Sequence, residues 1–167
     1  PCSVYGKSKL DGEIAVATNL EQYIILRTSW VYSPFGSTFV ATMLRLARER
    51  GGAGVVADQL GTPTSALDIA DAILDIATQL SDDTYGTYHF TAAGSGTWAD
   101  FAQLVFSLYD QSTSSKTELK RITTADFPTP AKRPANSRLD TRKLPDTFGI
   151  QPRAWRDAVT ATVERLL

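Results

Sequence analysis

Hydrophobic residues recur along this chain in two patterns: helical spacings with polar residues between them, and short unbroken apolar runs. Residues 39–50 show the first pattern, because Phe39, Met43 and Leu46 fall on one side of a helix. Residues 23–28 show the second, since they are aromatic, β-branched or apolar, as in a buried strand. The patterns predict helices over 3–18, 39–50, 66–80, 98–109, 139–144 and 155–167, and strands over 23–28, 55–57, 86–91 and 119–123. This alternation of helices and strands predicts an α/β fold.

Capping residues, glycines and prolines mark the breaks between these elements. Ser3 and Thr97 precede predicted helices and are expected to act as N-caps. Gly51-Gly52 is expected to end the helix before it and to form a turn. Residues 127–137 hold three prolines, so this segment is predicted to be neither helix nor central strand. Residues 111–115 are expected to form a polar linker.

Composition narrows the class of protein. A length of 167 residues allows one domain, or one and part of another, and 43% hydrophobic residues suffice for a sizeable core. The 17 basic and 18 acidic residues give a net charge of −1, so nucleic acid and membrane surfaces are not expected as partners. No apolar run approaches the ~18 residues of a membrane span. The single cysteine, Cys2, excludes an internal disulfide and favours a cytoplasmic location.

Candidate chemistry begins at residues 5–9, which read Tyr-Gly-Lys-Ser-Lys. In a helix, Tyr5 and Lys9 are four residues apart and lie on one face. A tyrosine hydroxyl normally titrates near about 10, and a neighbouring cation lowers that pKa. Such a tyrosine can give a proton to a carbonyl oxygen near neutral pH. Because this spacing also arises by chance, the pair alone is a weak signal.

Longer motifs strengthen the interpretation. They are Leu-Arg-Thr-Ser-Trp-Val-Tyr at 26–32, Phe-Val-Ala-Thr-Met-Leu-Arg-Leu-Ala at 39–47, Asp-Gln-Leu-Gly-Thr-Pro-Thr at 58–64, Pro-Thr-Pro-Ala at 128–131 and Arg-Pro-Ala-Asn-Ser at 133–137. In this order the chain resembles the dTDP-4-dehydrorhamnose reductase family of extended short-chain dehydrogenase/reductases, from Pro1 to about Trp155. The resemblance implies the late part of a Rossmann-type parallel sheet over residues 1–35. It also implies a smaller α/β region that binds the nucleotide-sugar over residues 36–167.

The resemblance implies a reaction and a cofactor. The reaction is reduction of dTDP-4-dehydro-L-rhamnose to dTDP-L-rhamnose, a precursor of cell-surface polysaccharide, with NADPH or NADH. Tyr5 would be the general acid at the C4 oxygen, and Lys9 would lower its pKa and bind the nicotinamide ribose. Thr28 and Ser29 would line the nicotinamide pocket, or alternatively would bond to backbone at a strand end. The third catalytic residue, a serine or threonine, is expected upstream of this chain.

Trp30 and Arg133 are predicted to bind the dTDP-sugar. Trp30 follows a strand, where ligands of open α/β sheets gather, and its indole could lie against a sugar ring. The alternative is a tryptophan of the core. Arg133 lies between prolines and suits a diphosphate, but it could equally tie its loop to Asp58 or Asp126.

Two polar residues are further candidates for the nucleotide. Asn136 can read a base edge, and Gln59 either faces the nucleotide or serves the turn that Gly61 and Pro63 indicate. Thr38 departs from the family, whose members usually carry asparagine just before this phenylalanine. A substrate contact at Thr38 is therefore in doubt.

Several other residues suggest only structural roles. His89 is predicted to be a structural histidine, and nothing places it near Cys2 as the base of a nucleophile. Asp71 and Asp75 lie at helical spacing and are expected to form a solvated face rather than a metal site. Some family members dimerise around Mg²⁺ through C-terminal carboxylates, and Glu164 alone does not support that here. A homodimer is allowed, and no metal site is predicted.

The glycine-rich phosphate loop of this superfamily does not occur in the sequence. We therefore expect the chain to be the C-terminal part of a longer enzyme, inactive alone. Two alternatives are another nucleotide-sugar epimerase or dehydratase, which would use the same tyrosine and lysine, and a non-catalytic regulatory subunit that binds nucleotide-sugars. An intact tyrosine–lysine pair argues against the regulatory subunit.

Overall fold

The protein alternates helices and short strands, and the computed structural model describes residues 3–130 and 133–167. Cys2 and Ala131, which the sequence analysis mentions, lie outside the described residues. The helices are α1 (Val4–Asn19), α2 (Phe39–Arg50), α3 (Ala66–Ala77), α4 (Trp98–Thr113), α5 (Lys143–Phe148) and α6 (Trp155–Leu166). The strands are β1 (Ile24–Arg27), β2 (Val31–Tyr32), β3 (Gly52–Val56), β4 (Leu60–Gly61), β5 (Thr64–Ser65), β6 (Gly86–His89), β7 (Gly96–Thr97) and β8 (Glu118–Ile122). The predicted α/β class is confirmed.

Within the described residues the strands form four separate pairs. The pairs β1–β6, β2–β5 and β3–β8 are parallel, and β4–β7 is antiparallel. Parallel pairs need long connections, and the segments between paired strands supply them by running through helices. The sequence analysis did not predict β2, β4, β5 and β7, which are two residues long each.

The predicted N-caps are confirmed. The Ser3 hydroxyl accepts a hydrogen bond from the Gly6 backbone at 3.0 Å and begins α1. Thr97 and Asp100 form a reciprocal capping box at the start of α4. Burial by itself raises the pKa of the Asp100 carboxyl. Hydrogen bonds from Thr97 and Arg121 have the larger opposite effect, so the pKa is lowered.

Two predicted helix boundaries were wrong. Helix α5 covers Lys143–Phe148 rather than residues 139–144, and Pro145 lies inside it. Proline is tolerated there because the N–H groups of a first helical turn have no partner within the helix. Helix α4 continues to Thr113, so the expected linker over 111–115 is half helical, and Ser114 then ends the helix in a left-handed conformation.

Gly51 and Gly52 have different tasks. Gly51 ends α2 with a left-handed φ of 66°, as predicted. Gly52 is not part of a turn but the first residue of β3, with a φ of 154°. A Cβ atom at Gly52 would lie 2.1 Å from the carbonyl oxygen of Glu118, so only glycine allows β3 and β8 to pair at this point.

The apolar side chains form two cores. The larger lies between α2, α4 and α6 and centres on the fully buried Phe101. The smaller packs Tyr88 and Phe90, on and just after β6, against Leu144 and Phe148 of α5 and the inner face of α3. The larger core fixes α2 and the start of α4, which carry one wall of the candidate site.

Helix α1, by contrast, has no buried residue. Arg27 of β1 holds it through hydrogen bonds of 3.0 Å from its Nε to both carboxylate oxygens of Glu13. The hydrogen bond from Arg27 also lowers the pKa of Glu13. The apolar side chain of Ile14 is 55% exposed. An isolated helix of this length is marginal in water, and within the described residues α1 presents an apolar surface that nothing covers.

The β1–β6 pair has one covered edge and one open edge. On β6, the Lys143 ammonium donates a hydrogen bond of 3.0 Å to the carbonyl of Thr87. On β1, the Arg27 carbonyl accepts from Phe90 on the β6 side, so the backbone groups of its neighbour Leu26 point to the opposite edge. No strand of the described residues pairs with that edge.

Candidate functional site

A cavity of about 410 Å³ lies between α2, β3 and the start of α4. Its walls are mostly apolar, and the backbone of β3 contributes a stretch of small residues, 52–54. Phe39 and Trp98 supply aromatic surface. Five of the lining residues carry polar groups: Thr42, Arg50, Gln59, Thr129 and Arg133. The cavity therefore combines space and apolar surface for a flat ring with cations for an anionic group.

Gln59 is anchored at one end of its amide. It is 7% exposed, and its Nε2 donates to the Thr124 hydroxyl at 3.0 Å. That hydroxyl in turn donates to Asp58 at 2.7 Å, and hydrogen bonds from Thr124 lower the pKa of Asp58. The Gln59 carbonyl oxygen has no partner among the described residues. The side chain of Gln59 thus bonds to Thr124 rather than within the Gly61–Pro63 turn, and it lines the cavity; a contact with the nucleotide stays a prediction.

Arg133 lines the cavity and forms no ion pair within the described residues. The alternative partners considered for it are engaged elsewhere, because Asp58 accepts from Thr124 and Asp126 accepts from Thr123. The guanidinium is therefore available at the cavity.

The loop that follows Arg133 is fixed by its backbone. Leu60 on β4 donates to the carbonyl of Ala135 at 2.8 Å and accepts from Ser137 at 2.9 Å. Asn136 lies in this loop but does not line the cavity. Its side-chain oxygen accepts from the backbone N–H and the Nε of Arg138, at 3.2 and 3.1 Å. The structure thus brings Gln59 and Arg133 together and leaves Asn136 outside.

Trp30 adopts a left-handed backbone conformation with a φ of 48°. A residue with a Cβ atom pays roughly 1–2 kcal/mol for this conformation, so surrounding contacts must hold it. The indole stacks on Trp98, with ring centroids 3.8 Å apart and an interplanar angle of 13°. Its backbone carbonyl accepts from Thr64 at 3.2 Å. Trp30 itself does not line the cavity, but its stacking partner Trp98 does.

Thr28 and Ser29 follow the carboxyl end of β1, as predicted. Thr28 is exposed. The Ser29 hydroxyl is buried and has no hydrogen-bond partner in the described part of the chain, so the alternative of a bond to backbone is not observed for it. An unsatisfied buried hydroxyl is costly, so it marks a place where a further polar group fits.

Tyr5 and Lys9 lie on one face of α1, as their spacing predicts. The Lys9 ammonium is 5.7 Å from the centre of the Tyr5 ring. Tyr5 is 71% exposed, so both reactive groups are open to a reactant.

The residues predicted to be structural are as follows. His89 bonds through Nδ1 to the carbonyl of Asp140 at 2.8 Å, which requires the proton on Nδ1 because a carbonyl only accepts. Asp71 and Asp75 are exposed, and residues 3–130 and 133–167 contain no group of three metal-ligating side chains.

The Thr38 hydroxyl donates a hydrogen bond of 3.1 Å to the carbonyl of Ser33, and Thr38 is the N-cap of α2. No described helix is long and apolar enough to cross a membrane.

The sequence analysis missed Trp98 and Arg50 as site residues. Trp98 follows an N-cap at helical spacing from Phe101, which is equally typical of a core residue. Only its contact with the distant Trp30 reveals its place beside the site. Arg50, in the last turn of α2, has the sequence signature of a helix-terminal cation.

Comparison with known proteins agrees with this geometry. The dTDP-4-dehydrorhamnose reductase of Sinorhizobium fredii is 49% identical over 171 residues, covering 100% of this chain and 58% of that protein. The crystal structure of the Clostridium acetobutylicum reductase matches with a TM-score of 0.90 at 38% identity, covering 99% of this chain and 56% of that one. The Bacillus anthracis reductase, solved in complex with NADP, matches with a TM-score of 0.86 at 35% identity, covering 99% and 55%.

The chain thus spans slightly more than half the length of these relatives. These structural matches confirm the predicted α/β fold of the Rossmann type. The family model described as the RmlD substrate binding domain matches residues 1–167. Because that match covers the whole chain, the protein belongs to the RmlD substrate binding domain family.

Proposed function

We propose that this chain is the substrate-binding part of a dTDP-4-dehydrorhamnose reductase, which reduces dTDP-4-dehydro-L-rhamnose to dTDP-L-rhamnose with NADPH or NADH. One observation carries the proposal. The cavity of about 410 Å³ joins aromatic walls, an anchored amide and two arginines that form no ion pair within residues 3–130 and 133–167, a set that suits a pyrimidine nucleoside diphosphate. The relatives are named for the same reaction.

The nucleotide would occupy the cavity. Its flat base fits between aromatic surface and the small residues of β3, and the carbonyl oxygen of Gln59 can accept from the base N–H. Arg133 at the cavity is suited to the diphosphate, with Arg50 as a second cation. Asn136 would need to release Arg138 before it could bind the substrate through its side-chain oxygen.

The sugar would lie against Trp30. The Trp30–Trp98 stack adjoins the cavity, so a sugar joined to the diphosphate reaches it without leaving the protein surface. Aromatic rings bind the apolar faces of sugars while leaving the hydroxyl groups to polar neighbours.

The reactive groups would come from α1. The Tyr5 hydroxyl would give its proton to the C4 oxygen as the carbonyl is reduced, and the Lys9 ammonium, 5.7 Å from the centre of the Tyr5 ring, would stabilise the phenolate that remains. The nicotinamide cofactor supplies the hydride when it is bound. The buried, unpartnered Ser29 hydroxyl fits a polar group of such a cofactor, and Thr28, Lys9 and Tyr5 would complete its contacts.

The exposed surfaces support the predicted domain division. Residues 1–35 would complete a dinucleotide-binding domain, because α1 has no buried residue and β1 has an open edge. Residues 36–167 would form the nucleotide-sugar region around the cavity. The glycine-rich loop and the third catalytic residue would lie in a segment that corresponds to the part of the relatives outside the match. A homodimer and a cytoplasmic location remain predictions.

Two other functions share these features. A nucleotide-sugar epimerase or dehydratase would use Tyr5 and Lys9 in the same way and would bind a similar nucleotide. A non-catalytic regulatory subunit would keep the cavity but would not need the reactive pair. The exposed tyrosine–lysine pair on α1 favours an enzyme.

Replacing Arg133 by methionine in the full-length protein should weaken dTDP binding by roughly 10–150-fold, because a hydrogen bond to a charged group contributes about 1.5–3 kcal/mol. Titration calorimetry with dTDP measures this loss. Arg142→Met is the matched control, since Arg142 is exposed, bonds Asp140 and does not line the cavity. Equal affinities of wild type and Arg133→Met would remove the diphosphate from this site.

A further inference from the structure

We infer that Trp98 is a positioning residue for the sugar subsite, which holds the indole of Trp30 in place through the stack between them. The inference rests on the proposed function, because it concerns how that site recognises its sugar. Trp98 thereby links the nucleotide cavity, whose wall it forms, to the residue that meets the sugar.

The Trp30 indole is held from two sides. Trp98 covers one face, at a centroid distance of 3.8 Å. Gly61 of β4 lies against the Nε1–Cε2–Cζ2 edge of the indole, since a Cβ atom there would lie 2.3 Å from Cε2, 2.5 Å from Cζ2 and 2.7 Å from Nε1 of Trp30. The three heavy atoms nearest to that position all belong to Trp30, so Gly61 is a second direct neighbour of the ring.

The left-handed backbone of Trp30 makes these contacts necessary. A φ of 48° is unfavourable for an aromatic residue and persists only when its surroundings determine it. Gly61 fits because it lacks a side chain, and Trp98 fits because its ring is parallel to the indole within 13°. Without either neighbour, the Trp30 side chain is free to leave its position.

The position of Trp98 is fixed by its neighbours. It is the first residue of α4, directly after the capping box of Thr97 and Asp100. Phe39 packs on it with ring centroids 4.9 Å apart, and Phe101 lies 6.3 Å away. A ring held by a capped helix and by core aromatics can define the position of a strained neighbour.

The two roles of Trp98 predict different binding losses. If Trp98 serves only as a wall of the cavity, Trp98→Leu weakens dTDP and dTDP-L-rhamnose by the same factor. If it positions Trp30, dTDP-L-rhamnose loses more, because only the sugar depends on the indole. We expect an additional loss of about 2–12-fold, the equilibrium equivalent of one aromatic pair contact.

Gly61→Ala provides an independent variant. It places a Cβ atom 2.3 Å from the Trp30 indole, which must then shift, and Gly61 does not line the cavity. We therefore expect it to weaken dTDP-L-rhamnose while leaving dTDP affinity unchanged. Gly12→Ala is the matched control, because a Cβ atom at Gly12 meets nothing within 4 Å.

The test is titration calorimetry of the full-length protein and the three variants with dTDP and with dTDP-L-rhamnose, together with circular dichroism of the coupled indoles. A selective loss of dTDP-L-rhamnose in Trp98→Leu and Gly61→Ala, with a reduced indole signal in both, is the expected result. Equal losses for the two ligands, or an unchanged indole signal in Gly61→Ala, would overturn the inference while dTDP binding by the wild type kept the proposed function intact. If the wild type bound neither ligand, the proposed function would fail, and the inference with it.

Discussion

Replacing Tyr5 by phenylalanine should lower the rate of the proposed reduction by the full-length protein by about 10²–10⁴-fold, the usual contribution of general acid catalysis. The substitution keeps the ring and removes only the hydroxyl. Tyr5 is exposed and lies on α1, which has no buried residue, so the change should not disturb the fold. Affinity for dTDP-L-rhamnose should remain within a few-fold of wild type.

Steady-state kinetics and calorimetry on the same preparation separate these effects. Tyr85→Phe is a suitable control, because it removes a hydroxyl from a tyrosine outside the proposed site. A Tyr5→Phe rate within threefold of wild type would show that another group donates the proton.

Replacing Phe101 by alanine should lower the free energy of unfolding by about 3–5 kcal/mol. Phe101 is 0% exposed, and its ring lies 4.7 Å from Phe39, 5.2 Å from Tyr32 and 6.2 Å from Trp155. Its removal leaves a cavity bordered by β2, α2 and α6, and these elements cannot all move to fill it. For a domain of this size the melting temperature should fall by roughly 10 °C.

Denaturant unfolding of the full-length protein measures the change in stability. Phe35→Ala is the matched control, since Phe35 is 60% exposed and the centre of its ring lies 4.9 Å from the Arg165 guanidinium. If Phe101→Ala changed stability as little as Phe35→Ala does, Phe101 would not be the centre of the larger core.

Helix α2 was predictable from the sequence because its signals are local. Thr38 and Gly51 lie at its two ends, and its apolar residues repeat with helical spacing, so the predicted and observed bounds coincide. The bounds of helix α5 were not predictable, because a proline usually ends a helix whereas Pro145 lies in the first turn of this one. The two-residue strands carry no local signal, and their pairing is decided by partners distant in sequence, as for Val31 with Thr64.

The residues of the candidate site also differ in whether the sequence alone could predict their arrangement. The shared face of Tyr5 and Lys9 follows from helical spacing alone, and the structure has it. The free guanidinium of Arg133 could not be predicted, because it depends on Asp58 and Asp126 finding other partners. Trp98 could not be assigned either, since a tryptophan after an N-cap has the same local pattern in a core and beside a site.

The most direct measurement of the central claim is the stoichiometry of cofactor use by the full-length protein. When it is incubated with dTDP-4-dehydro-L-rhamnose and NADPH or NADH, the protein should oxidise one reduced nicotinamide for each dTDP-L-rhamnose formed. Absorbance measures the reduced nicotinamide that is consumed, and chromatography measures the sugar nucleotides. An epimerase or dehydratase would convert a nucleotide-sugar without net consumption of reduced nicotinamide, and a regulatory subunit would bind dTDP-sugars without turnover. Either of these results would contradict the assignment of this chain to a reductase.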